Sequence, residues 1–76
     1  MTRMEFVAVL EDLMEIDRGS ISDGTKLADV ERWDSLAVIG FIAAADEHLG
    51  ASVPAQKIYA CVTVGDILDL LKGQLQ

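Results

Sequence analysis

The sequence predicts an all-α fold: a four-helix bundle with three longer helices, one short helix and a long loop between the first two long ones. Three observations predict it. Apolar residues recur at helical spacing in separate segments. Capping residues stand where those segments begin. No stretch alternates apolar and polar residues as a half-buried strand would. At 76 residues the chain makes one domain, residues 1–76. At that size only about 60% of the unfolded surface can be buried, so a single thin core is expected. A hydrophobic share of 51% with six Gly and one Pro argues for a folded domain over a linker.

Thr2 and Glu5 form a T-x-x-E capping box that opens the first helix. Phe6, Val9, Leu10 and Leu13 follow at i, i+3, i+4 and i+7, with Glu5, Glu11, Asp12 and Glu15 elsewhere on the wheel. The helix is expected to end near Glu15. From Ile16 to Trp33 periodicity disappears, and Gly19 and Gly24 stand among Ser20, Ser22, Asp23 and Thr25, which is turn chemistry. Leu27, Val30 and Trp33 are placed to pin this loop onto the helices, with room for one short helical turn. Asp34 is an N-cap type, and the second helix should run from Ser35 to about Leu49, stopped by Gly50. Val38, Phe41, Ile42, Ala45 and Leu49 mark its core face. The other side, Leu36, Ala37, Gly40, Ala43 and Ala44, is apolar or small as well, and so is either covered by the protein or offered to a partner. Pro54 suits the first position of a short third helix ending by Ala60. Thr63 with Asp66 caps a last helix, in which Val64, Ile67, Leu68 and Leu71 repeat the spacing and Leu75 extends it. Gly73 and the flanking Gln74 and Gln76 let that end fray.

Thirteen acidic against six basic residues give a formal charge of −7. Such a surface repels a phosphate backbone, which argues against nucleic acid, and attracts basic protein patches. One Cys and one His supply neither a disulfide nor a metal cluster. Asp29, Glu31 and Asp34 lack the ligand spacing and the glycine of a calcium loop, as does the stretch from Asp17 to Asp23, so no metal is expected. Glu5, Glu11 and Asp12 break the N-terminal apolar stretch, which does not read as a secretory leader. The longest apolar run, Leu36 to Ala45, is half of the ~20 residues needed to span a bilayer. A soluble, cytoplasmic monomer is expected.

Ser35 holds the position of chemical interest. At the mouth of a helix, unpaired N–H groups and the positive end of the macrodipole favour an anion, so a phosphodiester on this hydroxyl would sit in a favourable field. Asp-Ser at a helix start is also ordinary capping chemistry. A hydrolase reading fails, because the single histidine, His48, lies about 20 Å along the same helix and no base can reach Ser35. Trp33 and Cys61 read as packing residues.

The constellation around Asp34-Ser35-Leu36 resembles the acyl and peptidyl carrier protein family over nearly the whole chain. That family opens the second of its four helices with Asp-Ser-Leu. The stretch DEHLGASVP looks like the acidic end of its second helix with the following linker, and TVGDILDLL resembles its last helix. The resemblance implies that Ser35 accepts a 4'-phosphopantetheine arm from coenzyme A, attached by a phosphopantetheinyl transferase, with Asp34 and Leu36 presenting it. Acyl or aminoacyl groups would then ride on the arm as thioesters, in fatty acid, polyketide or related secondary-metabolite biosynthesis. The protein itself would not be an enzyme. Acyl-loading and acyl-transferring enzymes are the implied partners, meeting Leu36, Ala37, Gly40, Ala43 and Glu47. Positions matching Ala37 and Gly40 are often acidic in carriers of fatty acid synthesis and are uncharged here, and Trp33 stands where Gly is frequent. These departures point to a more apolar docking face and a specialised pathway. The alternative is an unmodified helical adaptor that binds partners through its second helix.

Overall fold

The computed structural model describes residues 1–76, and it begins with the capping box that the first residues encode. Helix α1 spans Arg3–Leu13. The Glu5 N–H donates to Thr2 Oγ1 at 3.1 Å, and the Thr2 N–H donates back to Glu5 Oε1 at 2.8 Å. The helix ends two residues earlier than the spacing suggests. Ile16 N–H reaches Glu11 O at 3.0 Å and Glu15 N–H reaches Asp12 O at 3.1 Å, which together form a Schellman closure. Glu15 takes the left-handed conformation that this closure demands, with φ of 57°.

Several attachments order the loop that follows. The Glu11 carboxylate, only 2% exposed, accepts from the Gly19 N–H at 2.8 Å and the Ile21 N–H at 3.3 Å. Arg3 donates to Asp23 at 2.8 Å and to Asp69 at 3.1 Å, joining the head of α1 to the loop and to the last helix. Finally, Leu27 N–H donates to Val62 O and Val64 N–H to Thr25 O, each at 2.9 Å, making one antiparallel bridge between Lys26 and Thr63. A 3₁₀ turn at Leu27–Asp29 supplies the short helical turn that the loop has room for. Leu27 is buried, and Val30 and Trp33 are half-buried against the core.

Helix α2 covers Ser35–Leu49, capped by Asp34, and stops where Gly50 turns left-handed with φ of 63°. Its Phe41 is fully buried at the centre, edge-on to Phe6 at 5.8 Å and to Trp33 at 6.3 Å between ring centroids. Helix α3 is Ala55–Tyr59. Pro54 caps it from outside and does not occupy its first turn: a ψ of 141° keeps Pro54 extended and aims its carbonyl at the Lys57 N–H, 3.1 Å away. Helix α4 is Val64–Asp69, headed by a second capping box between Thr63 and Asp66. Beyond Asp69 the course toward Leu75 continues as tighter turns, because Leu71, Lys72 and Gln74 donate to the carbonyls three residues back. Helix ends whose last carbonyls lack partners often tighten in this way. Leu71 is nonetheless fully buried, with Ile67 and Leu68.

The four helices thus close over one hydrophobic core to which the loop adds Ile21 and Leu27 and the α2–α3 linker adds Ala51 and Val53. No helix is long and apolar enough to cross a membrane. The ends of the chain meet, with Gln76 N–H donating to Met1 O at 3.0 Å.

Candidate functional site

Ser35 is the first residue of α2, and its side chain is exposed. The position follows from the residue before it. Asp34 stays extended, with φ of −126° and ψ of −171°, and its Oδ1 accepts from the Ala37 N–H at 2.9 Å. The Val38 N–H bonds back to Asp34 O at 3.0 Å. Two N–H groups of the first turn, those of Ser35 and Leu36, have no acceptor within the protein, and no hydrogen bond engages the Ser35 hydroxyl. The head of α2 therefore offers a free hydroxyl beside unpaired donors, in the electropositive field of a fifteen-residue helix. An esterified phosphate fits this setting: the hydroxyl is reachable and nothing must be broken to modify it.

Leu36, Ala43 and Glu47 lie on one exposed face of α2, running away from Ser35 at helical spacing. Ile39, 62% exposed, belongs to the same face, and Leu36 is 75% exposed. The sequence reading missed Ile39, although the 36, 39, 43 spacing carries the signal. Ala37 sits elsewhere, in the core at 5% exposure with Ala44. Gly40 is half-buried toward α1, where an added Cβ would lie 3.1 Å from Leu13 Cδ1. The missing side chain at Gly40 leaves room for Leu13 of α1 to pack close against α2. Ile42 and Leu49 are left half-buried at the margin. Two of the five residues read as a docking surface therefore serve internal packing.

One hollow borders the site, and a second is lined by Trp33, two residues before Ser35. A recess of about 200 Å³ runs between the end of α1 and the head of α2, lined by Met14, Glu15, Arg32, Asp34, Leu36 and Ala37 among others. A wider apolar cleft of about 400 Å³ opens between the 3₁₀ turn and α3, lined by Leu27, Val30, Trp33, Ile58 and Tyr59 with Cys61 at one side. Burial, then the nearby Asp66 and Asp69 charges, push the Cys61 thiol up from its ordinary value, so it packs as a neutral group. His48 lies exposed in the last turn of α2, at the far end of the helix from Ser35. Nowhere do three or more His, Cys, Asp or Glu side chains converge in a way that could hold a metal ion.

Comparison with known proteins adds four findings. Residues 5–71 match the family described as "Phosphopantetheine attachment site". The acyl carrier protein MbtL of Mycolicibacterium paratuberculosis is 29% identical over 63 residues, covering 83% of this chain and 71% of that protein. An acyl carrier protein of Lactobacillus acidophilus is 28% identical over 65 residues, covering 86% of this chain and 81% of that one. In three dimensions the chain superimposes on the holo acyl carrier protein of Geobacter metallireducens with a TM-score of 0.77. That match covers 97% of this chain and 86% of the other at 20% identity, a likeness of fold.

Proposed function

This chain belongs to the phosphopantetheine attachment-site family, and from that premise we propose that Ser35 carries the 4'-phosphopantetheine arm of a carrier protein. The observation that supports this most is the free hydroxyl at the first position of α2, beside two unclaimed N–H groups. Attachment requires Ser35 Oγ to attack the phosphorus of coenzyme A that bears the pantetheine. A new P–O bond forms, the bond to adenosine 3',5'-bisphosphate breaks, and the serine proton passes to a base on the transferase. Asp34 serves this step by holding α2 open at its first residue, since its carboxylate caps the Ala37 N–H and leaves Ser35 outermost. Leu36, one residue on and largely exposed, gives the transferase an apolar grip.

When bound, the arm supplies a terminal thiol that holds an acyl or aminoacyl group as a thioester. The chain itself contributes delivery. In this reading catalysis is left to the partners, since His48, the one histidine, lies at the far end of α2 from Ser35. Those partners, the transferase and acyl-loading or acyl-transferring enzymes, would dock along Leu36, Ile39, Ala43 and Glu47. The protein works in this reading as a cytoplasmic, monomeric shuttle in fatty acid, polyketide or related biosynthesis. The uncharged Leu36, Ile39 and Ala43 favour partners with an apolar contact surface.

Mass spectrometry tests the assignment. Incubation with coenzyme A and a broadly acting phosphopantetheinyl transferase should add one arm to the full chain, and Ser35→Ala should gain none. A wild-type chain whose mass stays unchanged beside a control carrier that is modified would refute the reading and favour an unmodified adaptor.

A further inference from the structure

The three arginines are held very differently. Arg3 engages two carboxylates at 2.8 and 3.1 Å, and Arg18 grips both oxygens of Asp12 at 3.0 and 2.7 Å. Arg32 has only loose contacts, at 3.5 Å to the Met14 carbonyl and 3.9 Å to Glu15. Its side chain is 59% exposed, and most of its five donors have no partner. Its position is equally distinctive. Arg32 lies three residues before Ser35, so the two Cα atoms are separated by at most about 11 Å even in a fully extended chain. Arg32 lines a recess that Asp34, Leu36 and Ala37, the residues on either side of Ser35, line as well. No other basic side chain lines that recess, whereas Glu15 and Asp34 do. An anion on Ser35 would therefore be placed next to the Asp34 carboxylate, with one loosely held cation at hand to offset the repulsion.

We propose that Arg32 is a positioning residue for the arm: once Ser35 is modified, its guanidinium leaves Met14 and Glu15 and donates to a non-bridging oxygen of the phosphodiester. The inference rests on Ser35 being the attachment site. Planar, multiply donating guanidinium suits a phosphate with two free oxygens better than a point charge does. The contact anchors the arm's first atoms on the α1 side of α2, along the recess.

The test uses the full-length wild-type chain, Arg32→Gln, Arg32→Lys and Glu15→Gln, each loaded from coenzyme A by the same transferase. Intact mass first establishes that the arm is present. The ³¹P resonance of the loaded wild type should differ from that of Arg32→Gln, with Arg32→Lys between them and Glu15→Gln unchanged from wild type. In ¹⁵N-labelled wild type, the Arg32 Nε–H resonance should move on loading while those of Arg3 and Arg18 stay. Identical ³¹P positions in wild type and Arg32→Gln, both carrying the arm, with an unmoved Arg32 resonance, would overturn the inference and leave the Ser35 assignment standing. A wild-type chain that gains no arm removes the Ser35 assignment, and this inference falls with it.

Discussion

Glu11 occupies the helix face that periodicity assigns to solvent, yet its carboxylate is buried and holds two N–H groups of the loop. Removing it strands the buried Ile21 N–H, and an unsatisfied buried group costs about 1–3 kcal/mol. Glu11→Ala should therefore lower the urea midpoint markedly, whereas Glu11→Gln, which keeps an acceptor oxygen, should lower it less. Glu15 presents the opposite case. It stands at the left-handed closing position of α1, where an L-residue is penalised by about 1–2 kcal/mol. Glycine escapes that penalty but loses more entropy on folding. Glu15→Gly should accordingly stabilise the chain by a net of about 0.5–1 kcal/mol in the same denaturation series. Neither residue's role is legible in sequence. Helical periodicity locates Glu11 opposite the core but says nothing of which loop will fold over it, and the closing residue of α1 follows no local composition rule.

At the scale of the elements, what was legible is what is local. Both capping boxes join residues three apart, so Thr2 with Glu5 and Thr63 with Asp66 announce their helices without reference to the rest of the chain. The same holds for Asp34 ahead of α2 and Gly50 behind it. The joints between elements were not legible. Gly65 is an example: its N–H donates to Asp23 O at 2.8 Å, and an added Cβ would lie 2.9 Å from that oxygen. Gly65→Ala should push the loop off α4 and cost about 1–3 kcal/mol, the usual range for overpacking. The cap of α4 also sets a pH dependence. The N–H groups of Val62 and then Thr63 hold the Asp66 carboxyl below its ordinary value of 3.8, both at 3.0 Å. The folded state thus favours the charged form more than the unfolded state does. That stabilisation is complete above pH 3.8 and is lost as pH falls through the lower folded value. In thermal melts across this acid range, Asp66→Asn should shallow the loss of stability relative to wild type.

For the whole molecule, a charge of −7 combined with an apolar strip on α2 separates encounter from grip. Long-range attraction to basic partners should speed association and weaken with salt, while Leu36 and Ile39 should decide how long a complex lasts. Replacing Ile39 with Glu should therefore weaken transferase binding by roughly tenfold, chiefly through faster dissociation, as measured by surface plasmon resonance. Its urea midpoint should hardly change, because the side chain is largely outside the core. The bundle and the place of Ser35 were readable because patterning and caps fix them, but Ala37 and Gly40 show that the helix's rotation depends on how closely α1 approaches. The meeting of Met1 with Gln76 has an architectural consequence. Entry and exit points lie side by side, so the fold can be spliced into a surface turn of a host protein without prying that turn apart. A host built this way would display the exposed Ser35 at the head of α2 while its own two flanking segments stay in register.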